Sequence, residues 1–436
     1  MKTIFAARVR GLGAVAIAAV LLTACGAGQD TGEARAKVVP CDFEAPSSAV
    51  TVNVLAYNSS AIDPFTNSMV KSCTKDSVTV KHDPIDFGGQ YTKTPITLSA
   101  PTGTYDLVEG YSAMIPTYAA KGQLRPIDDL FDKYKDTYDL GGIDPLMLKG
   151  FTYDGKLYGL PMQANISMMA YRKDIFDKLG IEVPTTYAEV VAAAKTIRES
   201  GEMDYPVALP ASDPATGYEQ TMSSLGISYV DVKTDTATFD SPEAEKAMQA
   251  LVDLTPYMDP QASTFDQPKV QQQMYNGKAA IAIMFSGRMA DLLQDANSPY
   301  ADDFGFAPAP GVEPGGPVGS AISVDGWTMP MNSKVDPDLL FQIMASSVTT
   351  EASESAMPFA YPARSDVATP EAIPYLSAIT DSLDNGAALP APYPWFTTME
   401  DTAYAPLLKA WKGDISVEAA LAACQKAAAV ALADAS

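Results

Sequence analysis

Thr51-Val-Asn-Val-Leu-Ala-Tyr57, then Asp63-Pro64, then Val78-Thr-Val80 is the stretch that decides the fold class. Its first run is apolar and β-branched, the composition of a buried strand. Asp63 and Pro64 supply an N-cap and an N1 proline for a helix reaching about Ser72. Val78-Thr-Val80 reads as the next strand. Strand, crossover helix and strand in this succession make a parallel βαβ unit. Residues 105–109 read as another strand, and 114–121 as a helix stopped by Gly122.

The same grammar returns further along. Residues 172–179 read as a helix closed by Gly180, and Thr186-x-x-Glu189 is a capping box opening a helix with Val190, Val191, Ala194 and Ile197 on one face. Ser241-Pro242 starts another helix, Asn276-Gly277 ends a third, and residues 279–285 read as a buried strand. Two α/β units of similar size are expected, separated near Pro161. Gly311-Val-Glu-Pro-Gly-Gly-Pro-Val-Gly319 is a long loop.

The chain has 436 residues, 47% hydrophobic and 19% charged, ordinary globular usage for two or three domains. Its formal charge of −23 repels phosphate backbones and argues against a nucleic-acid partner. One histidine and four cysteines leave little for a histidine triad or a histidine metal site. No Gly-rich phosphate loop or Cys-x-x-Cys pair is present, and neither a cofactor nor a metal is implied.

Lys2, Arg8 and Arg10 form a basic start to an apolar run, 11–24, that rises about 21 Å as a helix, short of the ~30 Å hydrocarbon core. Residues 1–24 therefore read as a signal peptide. The sequence Leu22-Thr-Ala-Cys-Gly26 resembles a bacterial lipobox, which implies cleavage before Cys25 and a diacylglycerol on its thiol. Residues 25–45 are the expected tether. Cys41 precedes the first strand and Cys73 closes the helix after it, on the same edge of a βαβ unit, so a Cys41–Cys73 disulfide is expected. Cys424 is expected as a buried free thiol.

Four stretches, in order along the chain, are similar to carbohydrate-binding receptors of ABC importers, the maltose-binding-protein-like family. These are Gly122-x-Leu-x-Pro-Ile-Asp-Asp129; Tyr158-Gly-Leu-Pro161 with Tyr171-Arg-Lys-Asp-Ile-Phe-Asp-Lys-Leu-Gly180 and Pro184-Thr-Thr-Tyr187; Tyr275-Asn-Gly-Lys-Ala-Ala280; and Asp325-Gly-Trp327 with Ser333-Lys334. Arg172 and Asp325 replace an Asn and a Gly common in the family. The resemblance implies a two-lobed periplasmic-binding-protein-like α/β fold, each lobe a mostly parallel sheet flanked by helices, with two or three crossing segments as hinge. Lobe one would be 46–161 plus 329–360, and lobe two 165–327 plus 361–436.

Ligands of open α/β sheets sit beyond the carboxyl ends of the strands. That rule selects Tyr57 and Asn58, Glu109 and Tyr111, and Phe285, Ser286 and Arg288. The implied hinge adds Gln163, Asn165, Asp325, Gly326 and Trp327, and later loops add Arg364 and Trp395. Rings pack on the C–H faces of a sugar, carboxylates accept from its hydroxyls, guanidinium groups donate and amides do both. Trp327 is expected as a stacking platform whose truncation abolishes binding and spares the unliganded fold. Trp395 reads equally as site or packing, Trp411 as core, and His82 as non-catalytic.

The function expected is a lipid-anchored receptor on the outer face of a bacterial membrane, a monomer that delivers a sugar, oligosaccharide or polyol to ABC permease subunits. The alternatives are the same fold binding a glycerophosphodiester or other small polar solute, and an exported glycoside hydrolase using a pair such as Glu109 and Asp325.

Overall fold

The computed structural model describes residues 37–435, so Cys25 and the leader lie outside the described residues. Nine strands form one sheet: β1 (Val50–Leu55), β2 (Val78–His82), β3 (Leu107–Tyr111), β4 (Gly159–Arg172), β5 (Val207–Ala208), β6 (Ile281–Phe285), β7 (Phe304–Pro308), β8 (Ile322–Thr328) and β9 (Tyr361–Pro362). The order is β2-β1-β3-β8-β4-β6-β5, with β7 and β9 also paired to β4. β1 runs parallel to β2 and β3, and β6 parallel to β5, as the βαβ reading expects. The pairs made by β4 and β8 are antiparallel.

The passage between halves is not a break near Pro161 but a 14-residue strand, β4, buried at every position except Tyr171. Up to Ile166 it pairs with β8, and from Ser167 onward with β6. Pro161 has no N–H to give a ladder, and it stands opposite Gly326, where the β4–β8 register slips. Cβ atoms on Gly159 and Gly326 would overlap the carbonyl oxygens of Trp327 and Leu160, so these two glycines let the backbones meet.

Two boundaries move from their expected places. β8 pairs with β3 from Asp325, opposite Tyr111, to Thr328, so residues 325–327 are bonded to the first half of the sheet, while 322–324 pair with β4 alone. Residues 361–367 also stay with the first half: Tyr361 and Pro362 pair with Ala164 and Gln163, and Ser365 Oγ donates to Asp144 at 3.0 Å. The chain reaches the second half with the helix Leu376–Asp384, packed on β4 and β7.

Local signals are obeyed closely. Glu189 N donates to Thr186 Oγ1 at 3.2 Å and Thr186 N to Glu189 Oε2 at 3.1 Å, completing the capping box. Cys41 and Cys73 are bonded, with Cα atoms 5.4 Å apart, and Cys424 is free and buried. Trp411 is buried as expected. No element is expected from the sequence over residues 83–104. Phe87–Ser99 is a helix there, capped by Asp86 accepting from Gly89 N at 2.6 Å. Among the described residues no helix is long and apolar enough to cross a membrane.

Candidate functional site

β1 and β3 end on the same side, and β6 ends where Phe285 pairs with Ser167, midway along β4. The carboxyl ends of both halves therefore open onto the junction that β4 and β8 cross. Side chains from both meet there. Asn165 donates through Nδ2 to Asp325 Oδ2 at 2.8 Å and accepts through Oδ1 from Gly287 N at 3.1 Å. Gln163 also donates to Asp325 Oδ2, and Ser286 Oγ accepts from Ile166 N at 3.0 Å. Gln90, on the Phe87–Ser99 helix, donates to the carboxylate of Glu109 and, at 3.0 Å, to its carbonyl.

Glu109 and Asp325 occupy diagonal positions on one face of the β3–β8 pair, where Cβ atoms lie roughly 7–8 Å apart or less. Both are fully buried, and no cation is paired with either among the described residues. Burial pushes Asp325 up to about 8, against the two amide donors that favour its charged form. Glu109 is held well above the carboxylate range by burial and by Asp325. Five buried polar atoms here have no hydrogen-bond partner: Glu109 Oε1, Gln90 Oε1, Gln163 Oε1, Ser167 Oγ and the Trp327 indole nitrogen.

This pair has a consequence for stability. A carboxyl with a raised pKa in the fold keeps a proton that the unfolded chain loses near pH 4, so its contribution is complete below that value and is lost as pH climbs to about 8. His82, lowered by burial, acts in the opposite sense but only below about pH 6.5. The melting temperature of the unliganded protein is expected to fall from about pH 6.5 to about pH 8, at roughly 2 °C per kcal/mol. Asp325→Asn is expected to flatten that slope; a wild-type curve that rises over the window would refute the assignment.

The rings form a wall beside the carboxylates. Phe87 meets Tyr57 edge-on at 5.3 Å and lies 6.1 Å from Tyr111 and 6.2 Å from Tyr91. Tyr57 is buried, its hydroxyl within the fields of Asp325, Glu109 and Arg288, while Phe87 and Tyr91 are exposed. Phe285 and Arg288 are half-buried at the end of β6.

Other expected residues lie differently. Asn58 spends its amide on the loop, accepting from Ile85 N at 2.9 Å and donating to Asp63 at 2.8 Å. Arg364 is buried away from the junction, its guanidinium donating to the carboxylate and carbonyl of Asp139, so it is a structural ion pair rather than a ligand donor. Trp327 presents no ring face to a ligand here: it is fully buried opposite Glu109 and Leu160. Trp395 is half-buried where the halves touch, next to Pro394, whose carbonyl accepts from Thr117 at 2.8 Å.

Several contributors escaped the sequence reading. The helix Phe396–Trp411 packs on the Pro214–Ser224 helix and on Ser112–Met114 just beyond β3. It brings Glu400 into the field of Tyr111, and Asp401 accepts from the Tyr91 hydroxyl at 2.8 Å across the junction. Burial and Asp213 push Glu219 up to about 8, and burial and Glu219 hold Glu400 well above the carboxylate range. Asp86 before Phe87 was the one available cue to the ring wall. Among the described residues no three of His, Cys, Asp and Glu are disposed to hold a metal ion.

Residues 60–339 match the family described as bacterial extracellular solute-binding protein. The chain belongs to that family. The family is one of binding proteins rather than enzymes, which removes the hydrolase alternative. Among curated relatives, a probable amino-acid ABC transporter periplasmic-binding protein of Sinorhizobium fredii is 25% identical over 41% of this chain and 40% of its own length. The mannitol-binding protein of Pseudomonas aeruginosa is 27% identical over 48% of each. The match thus spans less than half the length of these relatives. In fold, the chain is similar to a solute-binding protein of Agrobacterium radiobacter K84 solved in complex with ribitol, with a TM-score of 0.78, 22% identity, and coverage of 88% of this chain and 100% of that one. The solute-binding family and the fold expected from the resemblance are both found.

Proposed function

We propose that the protein is an extracytoplasmic receptor that captures a sugar, oligosaccharide or polyol between the two halves of its sheet and delivers it to the permease of an ABC importer. The observation that carries this reading is the junction itself: buried carboxylates, amides and unpartnered polar atoms brought together from both halves beside a tyrosine-rich wall. Hydroxyls donate to such carboxylates and exchange bonds with amides, and rings cover the C–H faces of a sugar. The ligands named for the Pseudomonas and Agrobacterium proteins, mannitol and ribitol, are of this class.

In this reading the lobes are the two sheet halves, joined through β4, the segment before β8 and the segment after 367. Ligand touching both stabilises the closed arrangement by its differential affinity. Tyr57, Glu109, Tyr111, Gln163, Asn165, Ser286, Arg288 and Asp325 would contact it. A lipid on Cys25 would hold this monomer at the extracytoplasmic face of the cell membrane. A glycerophosphodiester is less favoured, because Arg364 is spent on Asp139 and Arg288 is left as the guanidinium beside the site.

The test is thermal melting of residues 26–436 with mono-, di- and oligosaccharides, polyols and glycerophosphodiesters. A true ligand at 100 times its dissociation constant is expected to add about 2.7 kcal/mol. Asp325→Ala is expected to remove that gain. A gain confined to glycerophosphodiesters would overturn the reading.

A further inference from the structure

The two halves are bonded directly to each other at both ends of the ring wall. Beyond β1, Ser60 Oγ donates to Asp291 Oδ2 at 2.5 Å, reaching the short helix Met289–Leu292 that follows β6. The approach there is close: a Cβ added to Gly287 would stand 3.0 Å from that of Ala61. Gln271 fixes the acceptor, its Nε2 donating to the Arg288 carbonyl at 2.9 Å and to Asp291 Oδ2 at 3.3 Å. Beyond β3, the buried Thr117 donates through Oγ1 to the Pro394 carbonyl at 2.8 Å and lies 3.2 Å from Thr397 Oγ1. At the rim of that end the Tyr91 hydroxyl donates to Asp401 at 2.8 Å. Thr397 and Asp401 belong to the second half, since their helix, Phe396–Trp411, packs on Pro214–Ser224 and on Val417–Ala435.

The interval between these end bonds is short. Tyr57 precedes Ser60 in the loop after β1, and Tyr111 leads into the helical turns that carry Thr117. Phe87 bridges the two tyrosines, 5.3 Å from Tyr57 and 6.1 Å from Tyr111, so the wall is three rings long. Beside it stand the carboxylates and amides of β3, β4 and β8. The space between Phe87, Gln90, Tyr91, Tyr111 and Tyr118 is about 10 Å³, enough for one water at most, so the Tyr91 end leaves no lane outward for a sugar unit.

We infer that the solute is a single unit, a monosaccharide or an alditol of comparable length, and that the Ser60–Asp291 and Thr117–Pro394 bonds set this limit. This rests on the receptor reading above and narrows it by excluding the oligosaccharide. The halves part to admit the solute and close over it. A solute no longer than the wall leaves both end bonds free to form, and they add to the closed state that the ligand stabilises. A chain of two or more units must emerge through one end. There it keeps a bond from forming and leaves the Asp291 carboxylate, or the buried Thr117 hydroxyl, without its partner from the other half.

Calorimetry on matched series tests it: glucose with maltose, maltotriose and cellobiose, xylose with xylobiose, mannitol with mannobiitol, and glucitol with maltitol, together with any hit of the melting screen and its own monomer or dimer. In every series that binds, the single unit is expected to bind at least about tenfold tighter than its dimer. Ser60→Ala with Thr117→Val is expected to narrow that gap, because the dimer then displaces no bond; Ser60→Ala alone, at a half-buried position, should move it in the same direction. A dimer or trimer that binds as tightly as its unit overturns the inference and leaves the receptor reading standing. So does a gap unchanged in both variants. No binding by any saccharide or polyol at millimolar concentration, with the melting screen blank or scoring glycerophosphodiesters alone, overturns both.

Discussion

Trp327→Ala is expected to destabilise the unliganded protein by roughly 3–5 kcal/mol, as truncation of a buried tryptophan does when its surroundings collapse only in part. The ring has no exposed surface, faces Glu109 across the β3–β8 ladder, and stands where Gly159 and Gly326 bring two backbones together. Those backbones are fixed by the ladder and cannot close over the space the indole leaves. The cost would appear as a lower denaturant midpoint without ligand, and Trp327→Phe should lose much less. This reverses the expectation drawn from sequence, in which the ring is trimmed at no cost to the fold. A midpoint within about 1 kcal/mol of wild type would restore the stacking platform. If the ring is packing, ligand affinity must instead be probed at Asp325, whose carboxylate is held by amides rather than by volume.

What could be read from sequence was local. Strands announced themselves by β-branched runs and helices by Thr186-x-x-Glu189 and Ser241-Pro242, because caps and alternation act within a few residues; Asp63-Pro64 marked a helix start too, but Asp63 is the first helical residue after Ile62 and not the expected cap. The Phe87–Ser99 helix was hidden by Gly88, Gly89 and an internal Pro95, each a poor helix former, although tertiary packing of Gln90 on Glu109 holds it in place. Arg364 looked like a free guanidinium because its partner, Asp139, is 225 residues away. The same distance problem hid Glu219 and Glu400. They are ordinary surface acids in their own helices and become half-buried neighbours only when Phe396–Trp411 is laid on Pro214–Ser224. The carboxyl-end rule found Glu109 and Tyr111 since it concerns strand ends, which the sequence marks; it said nothing of acids delivered by helices.

Removing the disulfide as Cys41→Ala/Cys73→Ala is expected to cost roughly 3–4 kcal/mol, the loop-closure value for a bridge of this span. The bridge ties the segment before β1 to the last turn of the Asp63–Cys73 helix, and both cysteines are buried. The segment has no ladder of its own; its other ties are single contacts, among them Val39 N to Ser72 Oγ at 3.0 Å, Ser68 Oγ to the Lys37 carbonyl at 2.8 Å, Ser77 Oγ to the Pro46 carbonyl at 2.8 Å, Glu44 N to Gln342 at 3.0 Å, the Tyr138 hydroxyl to the Asp42 carbonyl, and Lys75 with Asp42 at 3.8 Å. Without the bridge these bonds close a loop whose entropy is no longer reduced in the unfolded chain. Either single variant should fall as far as the double one, and reduction of the wild type should match them all. Ligand affinity should stay within about twofold, because the bridge sits at the far end of the helix whose first residue, Asp63, is bonded to Asn58 beside the site, and distant sites add independently. A loss below about 1 kcal/mol in the double variant would mean that the single bonds suffice and that the bridge adds little to the strap.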